Sequence, residues 1–207
     1  MLSDLPIEIL MPLAVVLIFS LVIHEFAHAW TALQLGDPTA RDAGRVTLNP
    51  LVHLDFIGTI MLFLIGFGYA KPVPVNIGNL RNRYLGDVLV SLAGPLSNLL
   101  LGFIALMLLL GLQPEPATIP HVVLSIAWRI NIILAVFNLL PFFPLDGSHL
   151  VASFLDYKGE NQLRQNYIRY SGYAFFALIV LDFVAQIRIF GYLIGFAINS
   201  IETIFGL

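Results

Sequence analysis

Residues Ile9–Gly36 read ILMPLAVVLIFSLVIHEFAHAWTALQLG, and Glu25 is the one Asp, Glu, Lys or Arg among them. At about 1.5 Å per residue, such a run crosses a hydrocarbon core of about 30 Å as one helix. Inside it stands His24-Glu25-Phe26-Ala27-His28, an H-E-x-x-H pattern. Residues four apart share a helical face, so the two imidazoles can grip one zinc ion. Glu25 is turned about 100° from His24, which lets it act on a water beside the metal without ligating the metal itself. A charge at membrane depth costs at least about 2.5 kcal/mol, so Glu25 is read as functional.

Composition extends this reading to the whole chain. Of 207 residues, 58% are hydrophobic and 11% are charged, where soluble domains carry about 25% charged residues. The mean hydropathy is +0.89. Most of the surface therefore faces lipid, and the chain is expected in the cell membrane as a multi-pass protein. A formal net charge of −3 without a basic cluster argues against a nucleic-acid partner. The lack of cysteine excludes disulfides, Cys-ligated zinc, iron–sulfur clusters and thiol nucleophiles.

Two further long apolar runs follow, Val88–Pro114 and His121–Phe143, the latter interrupted by Arg129, Asn131 and Asn138. The C-terminal part offers two shorter ones, Tyr170–Ile187 and Ile189–Phe205, parted by Arg188. The apolar stretch 57–69 is too short to span comfortably and carries glycines at 58, 66 and 68, which predicts a re-entrant segment. The fold predicted is an all-α polytopic membrane protein with a core of three transmembrane helices. To these are added a re-entrant, partly β segment, with strand-like VTL and PVPV pieces, and a C-terminal helical hairpin. It forms a single membrane-embedded domain over 1–207, with a core at about 8–155 and C-terminal helices at about 165–207. Arg41, Arg45, Lys71, Arg81 and Arg83 follow the first span, and Lys158, Arg164 and Arg169 follow the third, whereas Gln113–Pro120 has no basic residue. Lys and Arg concentrate on the cytoplasmic side, so the first span runs inward and the site lies toward the cytoplasm. The N-terminus has no basic n-region or cleavage site, so the first span is expected to be retained.

Two histidines leave a third protein ligand to find, with Asp37, Asp42, His53, Asp55, His121, Asp146, His149 and Asp156 as candidates. On this topology Asp146 ends an inward-running span and matches the depth of His24 and His28, while His121 lies at the opposite end. Around Asp146 the chain reads NLLPFFPLDG over 138–147. Two prolines three apart cannot continue a regular helix, so the helix should break and present Asp146 from irregular backbone. His53 and Asp55 lie two apart after Asn49-Pro50, and a local turn or cap is their favoured reading.

HEFAH and NLLPFFPLDG together resemble the paired motifs of the site-2 protease family of intramembrane zinc metalloproteases, in the family's order. NPLVHLDFIGTI, KPVPVN and AGPLSN are similar to its compact branch, so the resemblance runs from about residue 15 to 155. Nothing in the chain resembles a PDZ or CBS domain. The resemblance implies one Zn2+ per chain held by His24, His28 and Asp146, and Glu25 as general base. It also implies Asn138 as a hydrogen-bond donor to the scissile carbonyl or its oxyanion. The substrate implied is a transmembrane protein cut within or near its membrane segment, with the bilayer as the other partner. Gly94, Pro95 and Asn98 are read as serving helix packing, outside the active site.

The rival reading is a zinc transporter or channel with an intramembrane His/Asp metal site. It explains His24, His28 and Asp146 but gives Glu25 no task. Its spans beyond the site are nearly bare of ligating residues, with Asp182 the main exception.

Overall fold

The computed structural model describes residues 6–55, 58 and 70–206. The expected re-entrant stretch 57–69 therefore lies, apart from Gly58, outside the described residues. The helices are α1 (Ile7–Gln34), α2 (Thr39–Asp42), α3 (Pro50–His53), α4 (Arg83–Leu112), α5 (Ile119–Asn138), α6 (Asp146–Tyr157), α7 (Asn161–Val184) and α8 (Ile189–Phe205). A 3-10 turn stands at Ile77–Asn79. Four of these helices, α1, α4, α5 and α7, are long and apolar enough to cross a membrane, and α8 is a shorter apolar helix. The chain is an all-α polytopic membrane protein.

Helix α4 is central and packs on α1, α5 and α6. Asn82 caps its start by accepting the Leu85 N–H at 3.0 Å. A Cβ at Gly102 would lie 3.2 Å from the Trp128 carbonyl, so glycine there lets α4 and α5 approach closely. Trp128, Ile132, Ala105 and Leu106 form the core of that contact, against Ile198 and Ile201 of α8. The charge at Arg129 is matched: its guanidinium meets Glu202 of α8 at 2.9 Å and lies 4.5 Å from the Trp128 ring centre. Phe19, Leu100, Phe103 and Phe176 are exposed, as lipid-facing residues of such helices are.

Helix α7 starts at Asn161, ahead of the apolar stretch that begins at Tyr170. Gln162, Arg164 and Gln165 are good helix formers, so polarity ends the apolar run without ending the helix. Asp182, the acidic residue of this span, accepts the Phe190 N–H at 3.3 Å in the first turn of α8. That gives it a capping task.

Between α1 and α4 the chain winds around two buried charged residues. Asp37 is fully buried and accepts hydrogen bonds from the Thr39 N–H (3.1 Å) and Oγ1 (2.5 Å), the Asn76 N–H (2.7 Å) and Asn79 Nδ2 (2.9 Å). Arg45 donates to the Lys71 and Pro72 carbonyls and meets His53 Nδ1 at 3.4 Å. His53 Nε2 donates to the Thr47 carbonyl at 2.8 Å. This set ties residues 37–53 to residues 71–79.

The expected strand pieces do not form. Among the described residues, Val46–Leu48 and Pro72–Val75 join no ladder, and the β pairing is one isolated antiparallel bridge, Leu54 to Ala70. Pro72 and Pro74 have no N–H to give a neighbour, and the Val73 N–H is already spent on a side chain of α1.

Burial alone would raise the Asp37 carboxyl, but the hydrogen bonds from Thr39, Asn79 and Asn76 outweigh it and hold the group below the ordinary carboxylate value. A depressed folded-state pKa contributes stability above the ordinary value, and that stability is lost as pH falls through the lowered one. Asp37→Asn should lower the midpoint of thermal unfolding in detergent by several degrees at neutral pH. The gap to wild type should close on acidification, and a gap that is constant with pH would remove the ionised carboxylate from this role.

Candidate active site

Residues on α1, α4 and α6 meet at one point. His24 and His28, on one face of α1, bring their Nε2 atoms to 3.0 Å of each other. Asp146 Oδ2 stands 3.1 Å from His24 Nε2 and 3.4 Å from His28 Nε2. Among the described residues this is the group of three or more His, Asp or Glu side chains able to share one metal ion.

Asp146 reaches this point because the chain turns back on itself. Helix α5 ends at Asn138, and residues 139–145, with Pro141 and Pro144, lead irregularly into α6. The Tyr167 hydroxyl donates to the Pro141 carbonyl at 2.8 Å, and the Phe143 N–H donates to Ser171 Oγ at 3.3 Å, so α7 braces the turn. A Cβ on Gly147 would lie 2.2 Å from the Leu139 carbonyl oxygen. Only glycine permits so close a return. The break falls where the prolines predict it, but Asp146 is the first residue of α6 rather than part of irregular backbone. The carboxylate thus stands at a helix N-terminus, where the dipole favours negative charge.

The donor set fits zinc. Tetrahedral coordination with bonds of about 2.0–2.1 Å puts ligand atoms about 3.3 Å apart, and the three separations here are 3.0, 3.1 and 3.4 Å. His28 Nδ1 lies 2.7 Å from the Val90 carbonyl, which can only accept, so the proton sits there and Nε2 presents a lone pair. Asp146 Oδ2 is buried without a hydrogen-bond partner. Lone pairs converging on one buried point are the arrangement a bound cation satisfies.

The wall opposite these ligands is Gly94 of α4. A Cβ there would lie 2.3 Å from His28 Nε2 and 2.6 Å from His24 Nε2. Next to it Pro95 lacks the N–H that would bond the Ser91 carbonyl, interrupting the ladder beside the Val90 carbonyl that holds His28. Asn98, one turn on, brings Oδ1 to 2.6 Å from His24 Nδ1. Gly94 and Asn98 thus stand directly against the two histidines, a placement their reading as packing residues did not foresee. The available signal was an Asn inside a long apolar span, since an amide at that depth needs a partner.

Glu25, half-buried, accepts the Val73 N–H on Oε2 at 3.1 Å. Asn138 Nδ2 donates to the Leu134 carbonyl of its own helix at 2.9 Å. The other candidates have different tasks. Asp42 pairs with Arg41 at the surface, Asp156 with Arg83 at 2.8 Å, and His53 belongs to the loop scaffold. Asp55 accepts the Gly58 N–H at 2.9 Å. His149 Nδ1 meets Asp87 Oδ1 at 3.4 Å, and Asp87 also takes a short hydrogen bond from Ser153. The Asp87 contact raises the His149 pKa above its ordinary value, against the opposing effect of burial.

Two histidines and an aspartate converging where a metal ion could be held, with a glutamate beside the first histidine, form among membrane helices the kind of arrangement a metallopeptidase uses. The model of peptidase family M50 matches residues 115–181, from just before α5 to near the end of α7. Relatives that match the chain carry the name "Putative zinc metalloprotease", among them the following three. YwhC of Bacillus subtilis (strain 168) is 44% identical over 153 residues, 70% of this chain and 70% of its own. Rip2 of Mycolicibacterium smegmatis is 32% identical over 142 residues, 63% of this chain and 52% of its own. Rip3 of Mycobacterium tuberculosis is 31% identical over 147 residues, 69% of this chain and 30% of its own. No solved structure matches the chain. The chain belongs to peptidase family M50, the site-2 protease family of intramembrane zinc metalloproteases. The transporter reading is not favoured.

Proposed function

We propose that the chain hydrolyses a peptide bond within or near the membrane segment of a transmembrane protein, with His24, His28 and Asp146 holding one zinc ion and Glu25 moving the proton. The observation that carries this is the convergence of the three ligand atoms, within 4.8 Å of one another, on the α1 face next to Glu25. When bound, zinc polarises the scissile carbonyl and makes water a nucleophile at neutral pH. Glu25 accepts the proton of the attacking water and passes it to the leaving amine. The Val73 N–H holds Oε2 of that carboxylate, which leaves Oε1 to carry the proton. Asn138 spends one of its two amide protons on Leu134, and the second is available for the developing oxyanion.

The test is cleavage of a single-span membrane protein by the purified chain in liposomes. A strong chelator should abolish cleavage, and about one equivalent of zinc should restore it. Cleavage that survives complete removal of metal would defeat the reading.

The positive charges between α1 and α4 support a site toward the cytoplasm. Arg41, Lys71, Arg81 and Arg83 are exposed, while Arg45 is consumed by the loop scaffold. Single cysteines introduced into this Cys-free chain near residues 80 and 160 should label with an impermeant thiol reagent from the cytoplasmic side only, and one near residue 116 from outside only. Outside labelling near residue 80 would invert the topology.

A further inference from the structure

The two metal-binding histidines are held from behind in different ways. His28 leans on a backbone carbonyl of α4, which no substitution removes. His24 leans on the side chain of Asn98, fully buried, at 2.6 Å. An amide can present either its oxygen or its nitrogen, and only the oxygen accepts the Nδ1 proton that leaves Nε2 bare.

Two backbone carbonyls settle which one faces His24. Asn98 Nδ2 donates to the Ser20 carbonyl at 3.2 Å and to Asn131 Oδ1 at 2.8 Å. Asn131 Nδ2 in turn donates to the Ala127 carbonyl and to Ser20 Oγ, each at 2.9 Å. The Ala127 carbonyl fixes the Asn131 amide, so that its oxygen faces Asn98. The Ser20 carbonyl and Asn131 together then claim both Asn98 amide protons. Oδ1 is left for His24. The relay crosses three helices, α1, α4 and α5, and its three side chains, Ser20, Asn98 and Asn131, are all at least nine-tenths buried.

We propose that Asn98, oriented by Asn131, is a positioning residue that fixes the His24 ring and its Nδ1–H tautomer for zinc. The proposal rests on the zinc site of the proposed function. Groups behind a metal-bound histidine are worth about ten- to a hundredfold in metal affinity, and a buried relay in which both amide protons of Asn98 and of Asn131 are used has no second arrangement of equal energy.

The experiment measures zinc affinity of the purified full chain by competition with a chelator, and the visible spectrum of the cobalt-substituted chain, without any proteolysis. Asn98→Leu keeps approximate volume and removes the acceptor, and zinc should bind at least about tenfold more weakly, with an altered cobalt spectrum. Asn98→Asp retains an acceptor for Nδ1–H and should recover most of the affinity lost in Asn98→Leu, a rescue that a packing role does not give. Should Asn98→Leu fail to fold, Asn131→Ala carries the test, because it removes one of the two acceptors that hold the Asn98 amide and weakens its preference for presenting Oδ1 to His24, and affinity should fall several-fold. Wild-type zinc affinity in a folded Asn98→Leu or Asn131→Ala chain overturns the proposal. A wild-type chain that binds no zinc overturns the function on which it rests, so the two failures are distinct.

Discussion

Gly94→Ala is expected to remove zinc from the protein while leaving its helices intact. The added methyl carbon would sit 2.3 Å from His28 Nε2 and 2.6 Å from His24 Nε2, in the space the metal must occupy. Both histidines are anchored at their far nitrogens, by Val90 and Asn98, so neither can swing away without breaking a buried hydrogen bond. Alanine is otherwise the better helix former by about 1 kcal/mol, so α4 itself is not the casualty. Zinc content should drop from about one per chain to near zero, with unchanged helical circular dichroism and peptide cleavage reduced more than a hundredfold. A variant that keeps its zinc would mean that the ion sits away from the α4 wall.

Glu25→Gln is expected to give the complementary result, a chain that keeps its zinc and loses its chemistry. Glutamine conserves volume and retains a carbonyl oxygen to accept the Val73 N–H, so the loop against α1 stays where it is. What disappears is the ability to take a proton from water. Cleavage of a model transmembrane substrate should fall by at least the roughly hundredfold typical of losing a positioned base, with zinc still near one per chain. Wild-type cleavage by this variant would end the assignment of Glu25. Zinc loss in this variant would instead make Glu25 part of the metal's coordination. Read together, the two substitutions separate the holding of the metal from the movement of the proton.

The convergence of His24, His28 and Asp146 was legible in the sequence because its signals are strong and local. An i, i+4 histidine pair is visible on any helix, and P-x-x-P ahead of L-D-G marks a helix break at a readable depth. Gly94 and Asn98 were not, for a physical reason. A small residue in an apolar span reads the same whether it admits a neighbouring helix or a metal, and a buried amide does not name its partner. His53 and Arg45 show the reverse case, since titratable residues near a motif can be taken up by backbone carbonyls of a loop instead of the site. The strand expectation failed at Pro72–Val75 because propensity counts the valines, whereas a ladder needs the N–H groups that the prolines lack.

The Ser20–Asn98–Asn131 relay also bears on how the protease comes into being. Each helix on its own would carry an amide or hydroxyl into lipid with no outside partner, and these groups find one another only when α1, α4 and α5 have docked. Synthesis runs from α1 to α6, so the H-E-x-x-H helix is the first part of the centre to be made and Asp146 the last. During that interval His24 has no Asn98 behind it and Asp146 has yet to arrive at the site. On the proposed function, a chain interrupted before residue 146 carries Glu25 without the third residue of the metal group. The residues of the proposed hydrolytic centre come together only when the bundle around them is assembled.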